Sequence, residues 1–111
     1  MSGGYFDYRQ YHINDIADSI EQKLNQQGKP KPIQDWYDEE YFKKYPEEKY
    51  YYTHPKEVQD KMREAVKILR MAAIYAQRVD YYLSGDDGEE SFLRRLAEEL
   101  KQLEENENTN N

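Results

Sequence analysis

Guanidinium groups set beside tyrosines are the residues of this chain best suited to chemistry on a ligand. Arg63, Lys67 and Arg70 recur at spacings of 4 and 3, and the same row continues through Ile74 and Gln77 to Tyr81. Arg78 falls on the adjacent row with Tyr75 and Tyr82. A guanidinium meets phosphate oxygens in a planar fork, and a neighbouring ring stacks on a base. The N-terminal stretch Tyr5-Phe6-Asp7-Tyr8-Arg9-Gln10-Tyr11 repeats this combination behind Gly3-Gly4. Tyr5, Tyr8, Tyr75 and Tyr81 are therefore expected to stack on or line a pocket, and Arg9, Arg70 and Arg78 to meet phosphates. Each pattern also has a plain structural role. The first is a solvated helix face, and the second an aromatic anchor for the N-terminus.

Signals for catalysis or metal binding are weak, and no catalytic residue, metal ligand or cofactor is assigned. His12 and His54 lie outside any spacing that places two imidazoles on one ion. His54 precedes Pro55, where helix capping is the expected role. Asp86-Asp87-Gly88-Glu89-Glu90 is acidic, yet it lacks the alternating oxygen ligands and distal Glu of a calcium loop. Asp87 with Glu90 reads instead as a capping box. Gly3-Gly4 precedes no strand, so there is no phosphate-cradling loop of the usual kind.

Three long elements must position these residues. Ile13, Ile16, Ile20 and Leu24 form one apolar stripe with Ala17 beside it, predicting a helix over 8–26 that stops at Gly28, Pro30 and Pro32. The clearest helix is predicted over 55–84, with Pro55 in its first turn and Ser84-Gly85 at its end. Along it, Val58, Met62, Ala65, Leu69, Ala72, Ala76, Val79 and Leu83 alternate spacings of 4 and 3 in an unbroken seam. Ile68, Met71, Tyr75 and Tyr82 form a neighbouring row, expected to be covered by the other two helices. Phe92, Leu93, Leu96, Leu100 and Leu103 predict a third helix over 88–105, leaving 106–111 as a frayed polar tail beyond a single domain, 1–105. Between the first two helices lie Trp36, Tyr37, Tyr41, Phe42, Tyr45, Tyr50, Tyr51 and Tyr52. Asp35 is placed to cap a short helix over 36–44, while 50–52 reads as extended chain without a partner. The fold class is all-α: three helices, the long one central, joined by an irregular aromatic-rich connection. A 30-residue helix is roughly 45 Å long, too long for a compact monomer of this size, so a homo-oligomer through the Val58–Leu83 seam is expected; the alternative is an elongated three-helix hairpin whose first and third helices cover both faces.

Composition narrows the partners. The 111 residues include 16 basic and 23 acidic side chains, no cysteine and twelve tyrosines, with one tryptophan and three phenylalanines. Absence of cysteine excludes disulfides and thiolate chemistry. Mean hydropathy is −1.26, and no apolar run is long enough to span a bilayer, so no membrane partner is expected. The N-terminus carries no signal-peptide pattern, and a cytoplasmic location is expected. Nine acids and three bases fall in 86–111, so the body of the chain is nearly neutral and a local cationic site is compatible with the low overall charge. Duplex DNA is disfavoured by that charge.

Two blocks carry a resemblance. Gly3-Gly4-Tyr5-Phe6-Asp7-Tyr8 through Ile16-Ala17-Asp18-Ser19-Ile20-Glu21 is similar to the start of a family of short, uncharacterised phage and prophage proteins. Ala73-Ile74-Tyr75-Ala76-Gln77-Arg78-Val79-Asp80, with Ser84-Gly85-Asp86-Asp87-Gly88-Glu89-Glu90-Ser91-Phe92, resembles that family's second block. Together they span about a third of the chain, and the aromatic stretch 36–52 has no counterpart. The resemblance implies a phage-type accessory protein, a class that often counters host defence. With the arginine–tyrosine pattern, the expectation is a non-enzymatic homo-oligomer that sequesters a small phosphorylated nucleotide signal. An acidic inhibitor docking on a host defence protein is the alternative, and a nucleotide-signal hydrolase the third reading.

Overall fold

A computed structural model describes residues 4–109, with side chains described through 106. Its α-helices are α1 (Gln10–Gln26), α2 (Trp36–Lys44), α3 (Lys56–Leu83) and α4 (Glu89–Thr109), with a 3-10 turn at Pro46–Lys49. The fold is all-α. The long helix is central: α1 and α4 both pack on α3. α1 runs antiparallel to α3, since Gln10 bonds Gln77 and Asp80 near the far end of α3 while Gln27 accepts from the His54 backbone just before its start. α4 doubles back along α3, beginning where the Tyr82 and Phe92 rings meet at 5.3 Å.

The connection holds the short helix expected over 36–44 and is otherwise more ordered than expected. α2 forms because Asp35 accepts from the Asp38 backbone N–H at 3.0 Å, capping its first turn. Pro46 then diverts the chain into the 3-10 turn. The extended tyrosines do find a partner: Pro30 and Tyr50 form a single antiparallel bridge. Around it, Lys31 N donates to Lys49 O at 2.7 Å, Tyr51 N to Lys29 O at 2.9 Å, and Gly28 N to Tyr51 O at 3.0 Å. This clasp closes an aromatic lobe whose α2 packs only on the 3-10 turn. Helix boundaries otherwise follow the sequence, except that α1 starts at Gln10 rather than 8, and α4 continues through Thr109. Of the expected tail, 110–111 lie outside the described residues, as do 1–3 and the side chains of 107–109.

The molecule is a thin slab, 62 × 30 × 19 Å, with a radius of gyration of 19.6 Å. A compact chain of this length measures about 13 Å. Its fully buried apolar residues are small, Ala17 on α1 and Ala73 on α3, joined by Val66. The other buried side chains are polar: Gln10, Arg78, Asp80 and Asp87. So thin a core leaves much apolar surface in water. Val58, Ala72 and Leu83 of the seam are exposed, and Met62, Ala65, Leu69, Ala76 and Val79 are half-buried. Ile68 and Tyr75, expected to be covered, are also exposed. The reason is angular: α1 meets the row through Val66, Arg70, Ala73, Gln77 and Asp80, and α4 the row through Met71 and Arg78, leaving a broad apolar face between them on the opposite side.

Candidate functional site

Before α1 can start, the chain must turn sharply, and it does so through two residues that are not glycine. Asp7 and Tyr8 have φ of 55° and 60°, in the left-handed region. A tyrosine there costs roughly 1–2 kcal/mol relative to an ordinary conformation, and an aspartate less. Gly4 also has positive φ, and a Cβ there would stand 3.3 Å from the Tyr8 hydroxyl. The turn closes on itself through Asp7 N to Gly4 O and Arg9 N to Phe6 O, each 3.1 Å.

The turn is fixed from the other side by Asp80, whose side chain has no exposed surface. Its carboxylate accepts from the backbone N–H of Tyr5 at 2.8 Å and of Gly4 at 3.2 Å. The Gln10 amide and the Ser84 hydroxyl at 3.1 Å complete its shell. Burial alone would raise the Asp80 carboxyl, but the bonds from Tyr5, Gln10, Gly4 and Ser84 outweigh it and hold the group below the usual aspartate value.

Two tyrosines project from this latched loop and a third from the first turn of α1. Tyr5, Tyr8 and Tyr11 are each half or more exposed, and the Tyr8 and Tyr11 rings stack at 6.2 Å with planes 19° apart. Arg9 is exposed, and its Nε donates to Phe6 O at 2.9 Å. Beside the loop a cleft of about 280 Å³ lies between α1, α3 and α4, lined by Gln10, Tyr11, Asn14, Ile74, Gln77 and Glu99.

Of the expected ligand residues, Tyr5, Tyr8 and Arg9 come together here. Tyr81 is half-buried under the Arg78 guanidinium, 4.5 Å from its ring centre. Arg78 and Arg70 are engaged by carboxylates that the spacing along α3 did not reveal. Arg78 is buried against Asp87 at 3.4 Å and Glu99 at 3.3 Å, joining α3 to α4. Asp87 also accepts from Ser91 and faces Arg95 at 3.8 Å, so its carboxylate serves an ion-pair network rather than the expected capping box. Arg70 reaches across to α1, meeting Asp18 at 2.7 Å, Glu21 at 3.3 Å and the Asn14 side chain at 3.1 Å. Partial burial pulls its pKa down, but Asp18 and Glu21 hold it above the ordinary arginine value. Tyr75 stands apart on the apolar face, because six residues along a helix rotate it about 120° from Tyr81. Asp80, Gln10, Tyr11 and Ser84 complete the loop site without having been singled out. Tyr11 alone carried a signal, as the last ring of the N-terminal aromatic run.

A second exposed aromatic surface lies on the lobe. Trp36 is 74% exposed and Tyr37 64%, and with Tyr41, Tyr45, Glu40, Lys43 and Lys44 they line a groove of about 740 Å³. The Tyr41 hydroxyl donates to Glu48, which raises its pKa. His54 is T-shaped against Tyr52 and does not cap α3, while His12 sits 3.9 Å from Asp15 on the surface. Among the described residues no group of three or more His, Asp or Glu side chains is placed to hold a metal ion, and no helix is long and apolar enough to cross a membrane. No family model, curated protein or solved structure matches the chain.

Proposed function

We propose that this chain is a non-catalytic, self-associating binding protein that sequesters a small phosphorylated nucleotide signal in the host-cell cytoplasm, as a phage-type counter-defence protein. The observation that carries the reading is the latched N-terminal loop. Two strained residues and a fully buried carboxylate are spent to hold exposed rings in one arrangement, and strain of this kind collects at ligand sites. A ligand then meets a wall that is already ordered. Tyr8 and Tyr11 offer a stacking surface, Tyr5 flanks it, and Arg9 is the phosphate contact. Arg70 and Arg78 brace the helices behind that wall.

The loop lies open on one side, and the apolar face of α3 gives the molecule a means of bringing a second copy. A homo-oligomer through the Val58–Leu83 seam encloses the ligand better than one slab alone. The test is to mix purified protein with cyclic dinucleotides, remove excess ligand, heat the complex and analyse what is released. Recovery of intact ligand supports sequestration, and altered ligand means a hydrolase. No uptake moves the function to the second reading, an acidic inhibitor docking on a host defence protein. That reading is favoured by the lobe, where exposed Trp36, Tyr37 and Tyr41 have the composition of a protein-binding hot spot.

A further inference from the structure

We infer that Asp80 is the positioning residue of the binding site, a latch on α3 that sets the N-terminal tyrosines and Arg9 in their ligand-ready arrangement. The inference rests on the binding reading proposed above. Asp80 is 70 residues or more from three of its donors along the chain, yet it gathers the Gly4 and Tyr5 backbone N–H groups, the Gln10 amide and the Ser84 hydroxyl. The orientation of the Gln10 amide is settled by its two acceptors, since its nitrogen donates to both Gln77 Oε1 and Asp80. Every donor therefore points at one carboxylate. Only an ionised carboxylate, with acceptor sites on both oxygens, takes all four.

The latch also explains how the left-handed turn persists. Asp7 and Tyr8 hold unfavourable φ values, and the two backbone bonds to Asp80 lie just before them. Without those bonds the segment is free to relax, Tyr8 swings away from Tyr11, and Arg9 loses its fixed place. α1 itself is held independently through Ala17, Ala73 and Arg70, so release of the loop leaves the helices in place.

Two full-length variants test this. Asp80→Asn replaces two acceptor sites by N–H donors that face other donors, and Ser84→Ala removes a single donor. Each is measured for tryptic cleavage after Arg9, for helix content by circular dichroism and for affinity toward cyclic di-AMP. In Asp80→Asn, cleavage after Arg9 is expected to rise at least tenfold and affinity to fall at least tenfold, with helix content unchanged. Ser84→Ala shows smaller changes of the same sign, and it decides the matter if Asp80→Asn fails to fold. Ala17→Gly, which loosens α1 on α3 without touching the loop, lowers the melting temperature and leaves cleavage and affinity alone. Unchanged cleavage overturns the latch. Faster cleavage with unchanged affinity overturns its role in the site. Should the wild type take up no cyclic dinucleotide, the proposed function fails, and the cleavage measurement alone then decides whether Asp80 holds the loop.

Discussion

A carboxylate at Asp80 and a guanidinium at Arg78 are costly to bury in so thin a protein unless their hydrogen-bonding and charge needs are met inside. Asp80 has four donors on its carboxylate, and Arg78 has its charge matched by Asp87 and Glu99 while its Nε makes no hydrogen bond; each has a measurable consequence. The folded Asp80 carboxyl lies below its unfolded value of about 3.9. Its stabilisation is therefore complete above that value and is lost as the pH falls through the lower, folded one. Urea titrations between about pH 5 and pH 2 should show stability falling with acid, and Asp80→Asn should flatten part of that slope. An identical slope in the variant would assign the acid sensitivity elsewhere. Arg78 and Arg70 separate by burial. The Arg78 and Asp87 side chains are 7% and 5% exposed, so Arg78→Ala leaves buried Asp87 with Ser91 and the more distant Arg95 and should cost about 2–4 kcal/mol. Arg70 meets the 65%-exposed Asp18, and Arg70→Ala should cost about 1 kcal/mol or less. Chemical denaturation reads both, and equal losses would contradict the assignment of Arg78 as the brace.

At the scale of elements, the lobe is attached but not packed. Its α2 touches only the 3-10 turn, and the clasp at 29–31 and 49–51 is its tie to the helices. Replacing residues 32–48 by Gly-Asn should leave a cooperative helical melt within a few degrees of the wild type; loss of cooperativity would show that the lobe belongs to the core. Trp36, the sole tryptophan, should emit like a water-exposed indole. The long helices were legible because apolar side chains recur with the helical period and because Gly28, Pro30, Pro32 and Ser84-Gly85 stop the chain. α2 was legible from Asp35 and Pro46. The clasp was not, since Pro30 carries no strand pattern and its partner stands twenty residues away. The turn at Asp7 and Tyr8 was hidden because a tyrosine disfavours positive φ and a lone aspartate, though it tolerates that region, does not announce a turn. Spacing put Arg70 and Arg78 on α3 faces, but the carboxylates that engage them sit on other helices or in the loop before α4, beyond what one helix's periodicity records. Asp80, the centre of the loop site, was one acid among 23 with no period to mark it.

At the scale of the whole molecule, one broad face of the slab has no counterpart within the chain. Val58, Leu83, Ile68 and Tyr75 on α3 are all more than two-fifths exposed. A large apolar side chain gains about 1.5–3 kcal/mol on full burial, so several half-covered ones represent a substantial drive to associate. Exposed apolar area along one helix marks an interface or an aggregation hazard. The alternation of Met62, Leu69 and Val79 with Ala65, Ala72 and Ala76 suits a second helix packed closely against the seam. Ala72 is exposed at its middle, where a glutamate disturbs nothing within one slab yet places a charge in any contact between two. Ala72→Glu is therefore expected to yield a smaller species of unchanged helix content by light scattering and circular dichroism. Ligand held between subunits should be lost with it, while Ala72→Ser, which adds no charge, keeps the wild-type size. A wild type already monomeric at micromolar concentration would remove the assembly and with it any site enclosed by two copies, leaving the latched loop to bind alone.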